Sequence, residues 1–268
     1  MDLLGRDLNA AQLVVVIVCA FLGGFSKTGI VGLGIVITPL LASVFPAGTA
    51  LGFLLPIFMV GDVISITRSR NRAPWGPLLV ALPWGAAGTM IGWVVAKAIG
   101  DRYGADAERV LRVAIGILMG LVVVGSAYLS RHPEYILRRD PSAGTSGETR
   151  INTSYAAGLG LFSGFTNMLT NSGGPIWAVY FSSLDLEVKQ VIACGVRAVF
   201  LCNLIKLPFS AHLGFLAADT LMINLLLIPV LVLGIFVGDK VAGRYSKETF
   251  ARIIRCLALF GAFYMVAF

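Results

Sequence analysis

The stretch Gly24-Phe25-Ser26-Lys27 decides the fold, because a similar stretch, Gly164-Phe165-Thr166-Asn167, returns in the second half of the chain. The pattern Pro83-x4-Gly88-x3-Gly92 is likewise repeated as Pro229-x4-Gly234-x3-Gly238. Further residues recur in matching places: Gly34 and Gly174, Glu108 and Glu248, Arg112 and Arg252. Two copies of one apolar unit in a single chain are typical of membrane transporters.

The composition indicates an all-α polytopic membrane protein. The chain is 57% hydrophobic and 13% charged, whereas soluble domains carry about 25% charged residues. Apolar runs near the length of about 20 residues that spans a bilayer cover 49–67, 76–99, 109–129, 188–205, 214–238 and 250–267. The net charge of +7 is explained by membrane orientation, so it does not indicate nucleic-acid binding.

The first apolar segment of each half is interrupted by glycines. Residues 11–45 contain Gly23-Gly24 and Gly29, and residues 152–183 contain Gly164 and Gly173-Gly174-Pro175. The flanks are short for a full span, so we expect either two short crossings or a re-entrant hairpin. Interrupted segments at matching places of two halves mark the transport site in many secondary transporters.

Basic residues in the links predict an inverted repeat. Links 68–72, 131–150 and 239–248 are rich in Lys and Arg, which places them in the cytoplasm, whereas the repeat counterpart of the last link, 100–108, is mainly acidic. We therefore predict a first membrane repeat at 10–130, a cytoplasmic connector at 131–150 and a second membrane repeat at 151–268. Each repeat has a Gly-broken, discontinuous or re-entrant first segment followed by three transmembrane helices.

Two cationic residues are the leading substrate-binding candidates. Arg197 lies in the middle of an apolar run, where a charge costs roughly 2.5–3.5 kcal/mol on insertion scales, and its guanidinium suits an oxyanion. The alternative is a structural ion pair with Asp62. Lys27 lies at the first helix break beside Ser26 and Thr28, and a helix end there would add backbone donors for an anion. The alternative is that Lys27 snorkels to the interface.

Neutral donors complete the predicted site from the second half. The candidates are Asn167, Asn171, Ser172 and Asn203. Asp62 is a candidate for ion pairing with Lys27 or Arg197, or for carrying a coupling proton. Lys206 is expected to snorkel from the outer end of its span.

No enzymatic, cofactor or metal motif stands out in the sequence, which predicts that the protein is not an enzyme. The predicted partners are a small anionic substrate and the lipid bilayer, without nucleic acid; a homodimer through Gly-rich faces is compatible with the sequence. A passive anion channel, and an integral-membrane enzyme using Asp62 and Arg197, remain alternatives. Lys27 and Arg197 argue against a cation carrier by repulsion.

The motif Gly24-Phe25-Ser26-Lys27-Thr28-Gly29-Ile30-x-Gly32-x-Gly34, followed by Pro39, resembles the first-half signature of the sulfite exporter TauE/SafE family. Gly173-Gly174-Pro175 and Asn203-x2-Lys206 resemble its second-half signature, and the likeness covers about residues 10–266. The resemblance implies export of sulfite, sulfoacetate or related anions across the bacterial cytoplasmic membrane. Two inverted copies that rock against each other would give alternating access.

Overall fold

A computed structural model describes residues 2–3, 6–7, 9–29, 33–69, 74–131, 137–138, 150–151, 153–184, 186–216, 218–241 and 263. The longer elements are helices α1 (Ala10–Thr28), α2 (Gly34–Ala42), α3 (Ala47–Arg68), α4 (Trp75–Tyr103), α5 (Ala107–Arg131), α6 (Thr153–Thr170), α7 (Gly174–Ser182), α8 (Val188–His212) and α9 (Ala218–Val241). A 3-10 turn covers Gly104–Asp106. Two-residue strands β1 (Asp2–Leu3) and β2 (Arg6–Asp7), and β3 (Leu137–Arg138) and β4 (Arg150–Ile151), form two antiparallel pairs.

Four described helices are long and apolar enough to cross a membrane: Ala10–Thr28, Ala47–Arg68, Lys189–His212 and Thr220–Lys240. The runs predicted at 49–67 and 188–205 lie inside α3 and α8, and most of 214–238 lies in α9. The runs at 76–99 and 109–129 lie inside α4 and α5. Apart from Phe263, the run predicted at 250–267 lies outside the described residues.

Large apolar side chains lie on the outer surface, and several charged side chains lie in the interior. Large apolar side chains such as Leu79, Leu121 and Leu225 are exposed, whereas Lys27 and Asp62 are buried. Exposed apolar surface of this extent needs a lipid environment, and ionisable groups inside membrane segments are rare and usually functional. The structure is that of a multi-pass membrane protein with a few charged groups buried in an apolar core.

The glycine-rich segments each form a long helix followed by a short one. Gln12 Nε2, near the start of α1, donates a hydrogen bond to Val44 O just beyond α2, at 3.1 Å. The end of α2 therefore lies beside the start of α1, and the two helices form a hairpin. Between α6 and α7, Asn171 takes a positive φ of 54°, a conformation that asparagine tolerates better than most residues. This turn lets α7 start immediately after α6.

The two halves of the chain interleave and are not separate bundles. Helix α4 packs mainly against α6, and α9 packs mainly against α1, so each pair joins one helix from each half. Both contacts depend on glycine: a Cβ on Gly24 would lie 1.9 Å from Leu231 O, and one on Gly88 would lie 2.0 Å from Leu161 O. Small residues allow this close approach of membrane helices.

The short helices α2 and α7 lie in the interior. Ile37 and Leu41 of α2 and Trp177, Tyr180 and Phe181 of α7 are buried, and these aromatic rings pack against one another. The long helices surround them, so the first residues of α2 and α7 are held inside the protein.

Candidate functional site

A cavity of about 40 Å³ lies where the two broken segments meet. At roughly 10–15 Å³ for each water, it has room for about three water molecules. Both segments and the two helices α3 and α8 contribute to its wall. The lining residues are Ser26, Lys27, Gly34, Phe58, Asp62, Asn171, Gly174, Pro175, Gly195, Val196 and Val199.

The first residues of α2 and α7 both line this cavity. Helix α2 begins at Gly34 and α7 at Gly174, and neither has a side-chain cap at its N-terminus. The backbone N–H groups of a first helical turn lack partners within the helix, and this end carries a partial positive charge. Gly34 must be small, because a Cβ there would lie 2.6 Å from Asn171 O. Two positive helix ends therefore converge on one cavity.

Lys27, in the last turn of α1, provides the cation of the cavity. Its Nζ lies 2.6 Å from Asp62 Oδ1 and 4.8 Å from the centre of the Phe58 ring. The Lys27 side chain is 8% exposed and that of Asp62 is 0% exposed. Ion pairing and the cation–π contact hold the ammonium where it does not reach bulk water. This burial argues against the alternative in which Lys27 snorkels to the interface, and of the two ion pairs considered for Asp62 the structure forms the one with Lys27.

A chain of amides continues from Asp62 into the second half. Asn203 Nδ2 lies 3.5 Å from Asp62 Oδ2, a long contact, and Asn203 Oδ1 accepts a 2.8 Å hydrogen bond from Asn167 Nδ2. Asp62 occupies the same place in α3, which begins at Ala47, as Asn203 does in α8, which begins at Val188. Residues at matching places in the two halves therefore meet in the interior.

Lys206 is fully buried, which corrects the prediction that it snorkels outward. Its Nζ donates to Asn167 O at 2.8 Å and to Asn171 Oδ1 at 2.7 Å. The prediction failed because α8 continues to His212, so Lys206 is not near the end of its helix. Lys206 fixes the turn between α6 and α7 and leaves Asn171 Nδ2 to donate to Leu51 O.

The buried charges of the described residues are mostly positive. Lys27, Arg197 and Lys206 are buried cations, and Asp62 is the buried carboxylate. A charged group in such an interior needs a partner of opposite charge. Among these cations, Lys27 lines the cavity.

The sequence matches the Sulfite exporter TauE/SafE family over residues 16–265, which is most of the chain. The chain belongs to the sulfite exporter TauE/SafE family. Neither the curated proteins nor the solved structures gave a match to it. TauE/SafE proteins are membrane transporters, in agreement with the apolar helices described above.

In this TauE/SafE protein the cavity brings together some of the predicted site residues. Ser26, Lys27, Asp62 and Asn171 line it, and Asn167 and Asn203 lie behind them, linked by their amides. Ser26 Oγ donates to Gly23 O at 2.7 Å, so its oxygen can still accept.

Three predicted residues lie elsewhere. Thr28 Oγ1 donates to Ile235 O of α9, and Ser172 Oγ donates to Thr170 O. Arg197 lies under the ring of Trp75, with Cζ 4.8 Å from the ring centre, and does not line the cavity. Thr28 and Arg197 thus contact neighbouring helices, and Ser172 contacts the end of α6.

Sequence reasoning missed the roles of Phe58 and Lys206. A signal for Lys206 was present in the repeat, because Lys206 follows Asn203 by three residues just as Ser65 follows Asp62. Ser65 Oγ donates to Lys27 O at 3.2 Å, and Lys206 Nζ donates to the carbonyl of Asn167, the repeat counterpart of Lys27. Aligning the halves predicts this pair of contacts. Nothing in the sequence alone predicts the ring of Phe58 beside Lys27.

Proposed function

We propose that this protein is a secondary transporter that exports small sulfur oxyanions or organosulfonates, such as sulfite or sulfoacetate, across the bacterial cytoplasmic membrane. The observation that carries this proposal is the convergence of Lys27 and the uncapped starts of α2 and α7 on one buried cavity. Membership of the TauE/SafE family supports the same class of substrate.

The donor set of the cavity suits an oxyanion. An oxyanion in a low-dielectric site needs a positive charge and several N–H or O–H donors, because each unpaired oxygen is costly. Lys27 supplies the charge, and the first turns of α2 and α7 supply backbone donors on two sides. A cation would be repelled by two positive helix ends and by the Lys27 ammonium, and a neutral solute would gain little from these charges.

The dimensions of the cavity favour the anionic head group as the part that it holds. Room for about three water molecules accommodates a compact oxyanion better than a sulfonate with its organic tail. Phe58, Val196 and Val199 form an apolar part of the wall that would contact the carbon atoms of a larger substrate. We infer that sulfite-sized anions fit this conformation and that organosulfonates require the cavity to widen.

We further propose that transport proceeds by alternating access between two inverted repeats. The proposal is supported by contacts that match between the halves: Ser65 with the carbonyl of Lys27, and Lys206 with that of Asn167. The α1–α9 and α4–α6 contacts match in the same way. Because these pairs cross between the halves, the moving parts would be helix pairs and not whole halves.

The burial of the charged groups in the cavity favours a transporter over a passive channel. The groups that would bind the anion are almost inaccessible in this conformation, since Lys27 is 7% exposed and Asp62 is 0% exposed. An open channel requires a continuous water path with weak binding sites along it. We therefore expect saturable flux, whereas electrodiffusive flux without saturation would support the channel.

The proposal is tested by anion efflux from proteoliposomes with the double variant Lys27→Gln/Asp62→Asn. This variant removes the cation without leaving a buried carboxylate unpaired, so that loss of transport is not confused with misfolding. We expect sulfite efflux to fall to the level of empty liposomes. The matched control is Lys97→Gln, because Lys97 is exposed on helix α4 and does not line the cavity.

The control variant should keep wild-type efflux. Wild-type efflux from the double variant as well would show that the anion does not bind at Lys27. Efflux of neither sulfite nor sulfoacetate by the wild-type protein would contradict the proposed substrate class.

A further inference from the structure

We propose that Asp62 is a built-in substitute for the transported anion: it neutralises Lys27 while the site is empty, and a bound sulfur oxyanion displaces it toward Asn203. The inference rests on the proposed function and adds a residue that determines affinity. A carboxylate and a sulfur oxyanion present the same chemistry to an ammonium, namely a delocalised negative charge on oxygen atoms.

The position of Asp62 makes it a direct competitor. Its carboxylate lines the same cavity as Lys27, and Oδ1 lies 2.6 Å from Nζ. An anion that enters the cavity meets an ammonium that already has an anionic partner. The anion therefore binds only by displacing the carboxylate or by sharing the ammonium with it, and its apparent affinity is lowered accordingly.

The amide of Asn203 provides a second place for the displaced carboxylate. Asn203 Oδ1 accepts from Asn167 Nδ2 at 2.8 Å, which turns Asn203 Nδ2 toward Asp62. The distance from this Nδ2 to Asp62 Oδ2 is 3.5 Å, long enough for the contact to tighten when the carboxylate leaves Lys27. Asp62 thus has one partner in the empty state and another in the loaded state.

Because of this exchange, the site could open to either side of the membrane both when it is empty and when it holds an anion. A lone ammonium in the membrane interior is costly, so an empty site without Asp62 would hold its anion or remain open to water. With Asp62, Lys27 has a counter-charge throughout the cycle. Asp62 therefore lowers anion affinity and permits return of the empty protein.

The test compares sulfite binding by the purified full-length wild-type protein, Asp62→Asn and Asp239→Asn, measured by calorimetry without oxygen. Asp239 is the matched control, because it pairs with Arg68 at partly exposed positions of α9 and α3 that do not line the cavity. We expect Asp62→Asn to lower the Kd for sulfite by at least about tenfold while net efflux slows. Asp239→Asn should bind like the wild-type protein.

The outcomes separate this inference from the proposed function. An unchanged or higher Kd for Asp62→Asn, with normal binding by the wild-type protein, would overturn the role of Asp62 and leave the transport function intact. If neither the variants nor the wild-type protein bound sulfite, this inference would fall, and efflux of sulfite and sulfoacetate would decide whether the proposed function falls with it.

A second measurement applies if Asp62→Asn does not fold. Infrared difference spectra of the wild-type protein, with its aspartates carbon-13 labelled, should show a sulfite-dependent shift of a carboxylate band. Aspartate bands that do not change when sulfite binds would contradict the displacement of Asp62.

Discussion

Replacing Lys27 by Met is expected to destabilise the protein strongly, because it leaves the Asp62 carboxylate buried without its cation. The Lys27–Asp62 pair is 2.6 Å long and its side chains are 8% and 0% exposed. Removing one partner of a buried pair costs about 3–5 kcal/mol. At roughly 2–4 °C of Tm for each kcal/mol in a protein of 150–250 residues, we expect the Tm of Lys27→Met to fall by about 6–20 °C.

The double variant Lys27→Met/Asp62→Asn should recover most of this loss, because it contains no unpaired buried charge. The assay is thermal unfolding of the purified proteins in detergent, followed by tryptophan fluorescence. Arg68→Met and Arg68→Met/Asp239→Asn form the control cycle, since that pair is 43% and 37% exposed and exposed pairs contribute about 0–1 kcal/mol. A double variant no more stable than Lys27→Met would show that the buried pair is not the source of the effect.

Three further perturbations test the packing, the buried lysine and the position of Arg197. Gly24→Ala should lower the stability by roughly 1–3 kcal/mol, because its Cβ would lie 1.9 Å from Leu231 O. The control Gly100→Ala should not lower the stability, because its Cβ would meet nothing within 4 Å. Thermal unfolding measures both variants. Lys206→Met leaves Asn167 O and Asn171 Oδ1 without their donor, and we expect each lost hydrogen bond to lower the stability by about 1–3 kcal/mol. The control Lys240→Met, at an exposed position, should change the stability by no more than about 0.5 kcal/mol. Equal Tm values for the two variants would contradict the burial of Lys206. Arg197→Gln should change the Kd for sulfite by less than about threefold, because Arg197 lies under Trp75 and outside the cavity. A loss of sulfite binding as large as that in Lys27→Gln/Asp62→Asn would place Arg197 in the site.

The membrane helices could be predicted because their lengths and apolar composition are local properties. The run predicted at 49–67 differs from α3 by a residue or two at each end. The end of α8 could not be predicted in this way, because α8 continues to His212 beyond the apolar run. That extension is why Lys206 lies in the interior and not at the membrane surface.

The meeting of the two halves near Lys27 follows from the glycine patterns, but the partners of individual side chains do not. Sequence placed Lys27, Asp62, Asn171 and Asn203 among the site candidates, and the structure brings them close together. Arg197 is in the middle of its helix as predicted, yet its direction depends on the neighbouring helix that supplies Trp75. Such choices depend on how helices rotate about their axes, which the spacing of apolar residues leaves open when a helix is apolar all round.

The most direct test of an anion site at Lys27 is a crystal structure with selenite, whose selenium can be located by anomalous scattering and whose shape resembles that of sulfite. We predict a selenium peak in the cavity, within hydrogen-bonding distance, through its oxygens, of Lys27 Nζ and of the first backbone N–H groups of α2 and α7. A peak beside Arg197 and Trp75, with the cavity at Lys27 unchanged, would contradict this assignment.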